Sequence, residues 1–209
     1  MKNFLAVDTS GNHLAVVVGK GEETFSVYVP DCAMKHSVSV MPAVDEALKK
    51  ASLALEDCDV FSACVGAGSF TGIRIGISTV KGFCTALKKP ALPVTSFSLV
   101  AYTKKEEKIL VLSDALHGTF YACGYENGKI TIEPCYISTD QAKEYIEQGY
   151  KPCSLEALEI ETEIVSPADG LYNAVATLCA RQENFGDLTA LYIRKSQAEI
   201  NLEKGESAV

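Results

Sequence analysis

The sequence predicts an α/β protein built from two related units, each a mixed β-sheet flanked by helices, with the second unit reduced. Three observations predict it. Apolar and helical stretches follow the order β-β-β-α-β-α-β-α through the first hundred residues. A charged, apolar-free run, Lys104-Lys105-Glu106-Glu107-Lys108, then interrupts the pattern. After it the pattern restarts: LAVDTSGNHLAVVVG pairs in pattern, not in identity, with LVLSDALHGTFYACGY, which puts Asp8 and Asp114 in matching places. The units divide as residues 1–103 and 104–209.

Phe4–Asp8 is an apolar run closed by an acid, followed by the turn residues Thr9–Asn12. Leu14–Val18 is apolar again, Gly19-Lys20-Gly21 marks a tight turn, and Phe25–Val29 alternates apolar and polar residues. These read as three antiparallel strands. His36–Ala54 is helical in spacing: Val40, Val44, Ala47 and Ala51 share a face, with Val38, Met41 and Leu48 beside it. Pro42 inside it predicts a kink or a late start. Asp59–Gly66 is a short strand, Phe70–Lys88 a second helix, Ala91–Val94 a strand and Ser96–Tyr102 a short helix. In the second unit Ile109–Asp114 and Thr119–Tyr125 are apolar runs around the turn Ala115–Gly118. Asn127-Gly128 signals a hairpin into the strand Ile130–Ile137. Helices are predicted near Asp140–Gln148 and Gly170–Glu183, then an apolar segment, Leu188–Ile193, and a loose polar tail from about Asn201.

At 209 residues and 47% hydrophobic content the chain can bury a sizeable core. A formal charge of −8 repels a phosphate backbone, which argues against unaided RNA or DNA binding. The N-terminal MKNFLAVDTS is too short in apolar residues for a signal peptide or a membrane span, so a cytoplasmic protein with no membrane contact is expected. The eight cysteines form no CxxC pair and none lies at ligand spacing from a histidine; in a reducing compartment they are small buried apolar residues.

The stretch richest in chemical meaning is VGAGSFTGIRIG, Val65–Gly76. It follows a strand and opens a helix, where backbone N–H groups and the helix dipole favour an anion. Gly66, Gly68, Ser69 and Thr71, with Asp8, Thr9, Ser10 and Asp114, are the candidate phosphate-loop residues. The loop is no Walker loop, since no lysine follows the last glycine, and its GxGxxxG spacing is not the dinucleotide fingerprint. In the helix behind it, Ile73, Ile77, Val80, Cys84 and Leu87 form one apolar stripe. Gly72, Gly76, Thr79, Phe83 and Ala86 form a second, mostly small one. Glycine in a helix costs about 1 kcal/mol against alanine, so these glycines have either a phosphate to cradle or a backbone to approach. Asp8 and Asp114 are candidate Mg²⁺ acids or simple turn caps; Arg74 either meets a phosphate or solvates a helix face.

The histidines His13, His36 and His117 include no i, i+4 pair, so no HxxxH metal helix exists, which argues against a metalloprotease. Ser69 lies in GAGSFTG and not in a GxSxG elbow. His36 beside Ser37 reads as a helix-start or interface residue.

AVDTS at Ala6–Ser10, KHS at Lys35–Ser37, GAGSFTGIRIG at Gly66–Gly76, SDALHGTFY at Ser113–Tyr121 and ALYIRKSQAE at Ala190–Glu199 occur in that order and together resemble the TsaB (YeaZ) family over nearly the whole chain. Ala67 stands where the family commonly has proline. The resemblance implies a duplicated actin/Hsp70-like (ASKHA) fold. It implies a non-catalytic scaffold subunit for threonylcarbamoylation of tRNA at N6 of adenosine-37. Such subunits bind TsaD through their first two helices and help recruit the ATPase TsaE. They often form homodimers in isolation. No catalytic residue, metal or cofactor is then expected in this chain; ATP, Mg and the catalytic metal belong to partner subunits, and tRNA is met only through the complex. The glycine loop becomes a relic, and His36, Ser37, Val40, Met41, Val44, Leu48, Gly72, Ile75, Gly76, Thr79 and Phe83 the expected TsaD-binding face. On that expectation Gly72→Leu or Gly76→Leu blocks the complex and leaves the monomer folded. The rival reading is an ASKHA-type small-molecule kinase or nucleotide-binding protein, with Asp8, Asp114 and the glycine loop at work.

Overall fold

The computed structural model describes residues 2–105 and 107–194. The end of the ALYIRKSQAE segment and the tail from Asn201 lie outside the described residues. The first apolar run forms β1 (Phe4–Asp8), which turns back antiparallel into β2 (Leu14–Lys20). Gly21, at φ +60°, then turns the chain into β3 (Glu23–Val29). Helix α1 (His36–Ala51) begins at His36 and runs through Pro42, so the start is not late. It stops short of the predicted Ala54 because Ser52 takes a left-handed conformation and returns its N–H to the last turn. β4 (Val60–Cys64) pairs parallel with β1, α2 (Phe70–Leu87) follows, and β5 (Ala91–Val94) pairs parallel with β4. The short α3 (Ser96–Ala101) completes this run, and the sheet order is β3-β2-β1-β4-β5.

The second sheet repeats the pattern. β6 (Lys108–Asp114) and β7 (Thr119–Glu126) are antiparallel, and the Asn127-Gly128 turn, at φ +51° and +71°, leads into β8 (Lys129–Ser138). Helix α4 (Thr139–Glu147), β9 (Lys151–Ser154), β10 (Glu163–Ile164) and α5 (Pro167–Arg181) follow. In the order β10-β9-β6-β7-β8, strands β6 to β10 take the places of β1 to β5. This is the duplicated actin/Hsp70-like arrangement, with the second copy reduced: residues 155–162 are coil where α2 joins β4 to β5 in the first. Sequence pattern does not reveal β9 and β10. At four and two residues they are too short to show a period, and they form because they pair parallel with β6 and with each other.

The faces are covered by both halves of the chain. Val40, Val44 and Ala47 of α1 and Ile73, Ile77 and Val80 of α2 pack on Leu5, Val7, Leu14, Val16 and Val18. The opposite face of the same sheet is covered by α5, whose Leu171, Ala174, Val175 and Leu178 pack on Phe4, Ala6, Ala15 and Val17. β1 and β2 are thus buried on both faces, which explains their unbroken apolar runs. Between the sheets, α3 sets Phe97 and Val100 against Ile109 and Val111. Gly170 lets α5 close on α3: a Cβ there would stand 3.0 Å from the Leu99 carbonyl oxygen.

All eight cysteines are free. Burial pushes the thiols of Cys58, Cys123, Cys153 and Cys179 up to about 11, the behaviour of packing residues and not of nucleophiles. Among the described residues no helix is long and apolar enough to cross a membrane.

Candidate functional site

A cleft of about 840 Å³ opens between the two sheets. Its walls are the turn after β1, the glycine loop, the turn after β6, Glu156 and the chain segment Leu191–Arg194. Of the candidate phosphate-loop residues, Ser10, Gly68, Ser69, Thr71 and Asp114 border this cleft. The side chains of Asp8 and Thr9 and the backbone of Gly66 are buried behind it.

The two matching acids have different surroundings. Asp8 is fully buried and accepts from the N–H and the Oγ of Ser10, at 2.8 and 2.7 Å. His13 Nε2 lies 3.1 Å from its other oxygen. Burial alone would push Asp8 up, but His13 and Ser10 outweigh it and hold the carboxyl below its ordinary value. Burial likewise opposes charge on His13, and Asp8 overcomes it, holding the imidazolium above the usual range. His36, the first residue of α1, lies with Nε2 2.8 Å from the His13 carbonyl oxygen, so it is an internal brace at the helix start. The sequence analysis assigns His13 no role. The signal for one is the hairpin: pairing Asp8 with Ala15 folds His13 back over the acid. Asp114, by contrast, is exposed and caps its own turn, accepting the Leu116 N–H at 2.8 Å.

The glycine loop is bound to the β1 turn of its own chain. Ser69 N–H donates to the Ser10 carbonyl at 2.6 Å, Gly72 N–H to Ser69 Oγ at 3.2 Å, and Thr9 Oγ1 to the Gly72 carbonyl at 2.7 Å. A Cβ at Gly68 would meet the Ser10 carbonyl oxygen at 2.2 Å, and one at Gly72 the Thr9 carbonyl oxygen at 2.0 Å. A Cβ at Gly76 would meet Thr9 Oγ1 at 2.6 Å. The glycines therefore serve close backbone approach, and the Ser69 and Gly72 amides have acceptors within the chain.

The residues of the expected partner face differ in burial. His36, Val40, Val44, Leu48, Gly72, Gly76 and Phe83 are buried inside the chain, because the small stripe of α2 and the apolar face of α1 both turn toward the first sheet. Ser37 and Met41 stay exposed, and Ile75 and Thr79 partly so. Met34, before α1, and Val38, within the expected His36–Leu48 stretch, are 95% and 70% exposed, against 44% for Met41.

Arg74 is held by two aromatic side chains. Its Nε donates to Tyr192 Oη at 2.9 Å, and its guanidinium carbon lies 3.9 Å from the centre of the Phe70 ring, itself stacked on Tyr192 at 4.5 Å. The trio fastens Leu191–Arg194 over the start of α2, with Leu191 N–H on the Val65 carbonyl at 2.7 Å. Arg74→Ala is expected to lower stability by about 1 kcal/mol, read from the urea midpoint, and to speed proteolysis near residue 190. No group of three or more His, Cys, Asp or Glu among the described residues is placed to hold a metal.

Comparison with known proteins accounts for this arrangement. The family model for TsaD, described as tRNA N6-adenosine threonylcarbamoyltransferase, matches residues 23–201. A tRNA threonylcarbamoyladenosine biosynthesis protein TsaB from Buchnera aphidicola (subsp. Schizaphis graminum) is 31% identical over 122 residues, 56% of this chain and 58% of that protein. The Bacillus subtilis protein of the same name is 30% identical over 129 residues, 60% of this chain and 56% of its own. The match thus spans under two-thirds of each relative. Among solved structures, YeaZ from Pseudomonas aeruginosa has the same fold, with a TM-score of 0.73 at 22% identity over 92% of this chain and 100% of that one. The chain belongs to the TsaD family, and the relatives it resembles at about 30% identity over part of their length carry the name TsaB.

Proposed function

We propose that this chain is a non-catalytic scaffold subunit for threonylcarbamoylation of tRNA adenosine-37, acting by binding TsaD and helping to recruit TsaE. One observation carries the reading: the glycine loop and the start of α2 are bound to the β1 turn, Ser69 N–H on the Ser10 carbonyl and Thr9 Oγ1 on the Gly72 carbonyl, with Gly68, Gly72 and Gly76 set too close to that turn for a Cβ. The names of its relatives supply the pathway. TsaD docks on the outer side of α1 and α2, where Met34, Val38 and Met41 present exposed apolar side chains and Ile75 and Thr79 are partly exposed. Without TsaD the same side makes a homodimer. ATP, Mg and the catalytic metal sit with the partner subunits, and the net charge of −8 leaves tRNA to be met through the cytoplasmic complex.

The cleft between the sheets favours a second reading, an ASKHA-type nucleotide-binding protein or small-molecule kinase. Mixing with purified TsaD, followed by size-exclusion chromatography with light scattering, separates the two. A one-to-one complex is expected, and Val38→Glu/Met41→Glu should abolish it while the variant keeps its stability within about 0.5 kcal/mol, since both side chains are exposed. No complex, together with ATP hydrolysis by the chain alone, would replace the scaffold reading with the second.

A further inference from the structure

A second cavity, of about 720 Å³, lies where α3, the β7–β8 hairpin and the end of α5 meet, and it shares no lining residue with the cleft between the sheets. That is the size of a small-molecule site. Tyr102 and Tyr125 give it aromatic surface. Burial pushes both phenols up, so at neutral pH they are uncharged hydroxyls. Three cations line it, Lys105 after α3, Lys129 on the hairpin and Arg181 on α5, against one acid, Glu183. Among the described lining residues two positive charges are therefore in excess, in a chain whose formal charge is −8. The frame is held by the chain itself. Thr95 N–H donates to Ser98 Oγ at 2.9 Å and Ser98 N–H to Thr95 Oγ1 at 3.1 Å, which fixes the start of α3. Asn184 Nδ2 donates to the Pro93 carbonyl at 2.5 Å. A Cβ on Gly128 would stand 3.6 Å from the Lys105 carbonyl oxygen, so the hairpin turn rests on the segment that carries Lys105.

We propose that this cavity binds a planar organic phosphate, its flat body against Tyr102 and Tyr125 and its phosphate at the rim that carries Lys105, Lys129 and Arg181. The charge excess matches a phosphate dianion, and a guanidinium fork with two ammonium groups is suited to its oxygens. Complementing the C-terminal ends of α3 and α5 would account for Lys105 and Arg181 but not for Lys129, which comes from a hairpin. The end of α5 does not oppose the anion outright. Its Leu178 and Cys179 carbonyls accept the Gln182 N–H, and Arg181 stands in its last turn. Arg181 meets Glu183 only at 3.8 Å, and both side chains are more than half exposed, a pair that a phosphate can outbid. The phenol rings provide the apolar contact that a bare inorganic anion cannot use. The walls come from both units, α3 and α5 beside the first sheet and the hairpin of the second, so a bound molecule would tie the two together. The site is independent of the scaffold reading.

Titration of the full chain with 1-naphthyl phosphate, followed by amide chemical shifts, tests the site. Saturable shifts are expected with a Kd of about 1 mM or tighter, gathered at Ser98–Tyr102, Asn127–Ile130 and Leu178–Asn184. Inorganic phosphate, which lacks the flat body, and 1-naphthol, which lacks the charge, should each bind at least about tenfold more weakly. Lys129→Glu and Arg181→Gln, at exposed positions, should each weaken 1-naphthyl phosphate by about tenfold, the loss of one charge-assisted contact, with the rest of the amide spectrum unchanged. No saturation by about ten times that concentration would overturn the proposal. So would shifts centred on Ser113 and His117 of the cleft, equal binding of 1-naphthol or of inorganic phosphate, or an affinity that neither variant moves.

Discussion

Gly72→Ala is expected to destabilise the chain by at least about 3 kcal/mol, and Gly76→Leu to leave little folded protein. The reason is contact and not backbone freedom. The added Cβ at Gly72 would stand 2.0 Å from the carbonyl oxygen of Thr9, a backbone atom at the end of β1. Thr9 cannot give way, because its own hydroxyl is bonded to the Gly72 carbonyl at 2.7 Å and β1 is flanked by β2 and β4. Gly82, on the same helix, has nothing within 4 Å of the place a Cβ would take. Gly82→Ala is thus the control and should stabilise by up to about 1 kcal/mol, since it removes only a helix-propensity penalty. Urea midpoints of the variants decide the matter. A Gly72→Ala chain as stable as wild type would end the close-approach account. The same contacts predict that a leucine at Gly72 or Gly76 harms the monomer itself, against the expectation that it only blocks a partner.

Asp8→Ala is expected to cost on the order of 3 kcal/mol at neutral pH, because it removes the charge partner of His13 and leaves the buried Ser10 N–H and Oγ without their acceptor. The pH dependence follows from the two shifts. Asp8 is held below its ordinary 3.8, so its contribution is present above that value and is lost as pH falls through the lowered one. His13 is held above its ordinary 6.5, so its contribution is complete below 6.5 and is lost as pH rises through the raised one. Wild-type melting temperature should therefore decline at both ends of a scan from about pH 3 to pH 9. In Asp8→Asn the alkaline decline should be much smaller, since nothing then holds the His13 proton. Parallel profiles for the two chains would mean that the pair is not ionised.

Several features of this molecule are legible in its residues alone. The runs FLAVD and LAVVV, the Asn127-Gly128 turn and the helical stripe Ile73, Ile77, Val80 mark their elements, because burial on a sheet or a helix face writes a period of its own into the chain. The restart at Ile109 reports the duplication that the matching strand orders display. The segment GAGSFTGIRIG, with its companions, carries the family.

The alternation of elements, the duplication and the family are thus written in the residues. What the special residues touch is settled by the folded chain alone. Gly72 and Gly76 read equally as a phosphate cradle, a partner groove or an internal contact until Thr9 is brought against them. His13 is an isolated histidine until the hairpin sets it on Asp8. Helix α5 shows an apolar stripe, but not that it covers the first sheet in place of its own. Periodicity records how much water a residue loses on folding. It carries no record of which distant segment displaces that water, and in this chain that choice separates a working phosphate loop from a packing joint.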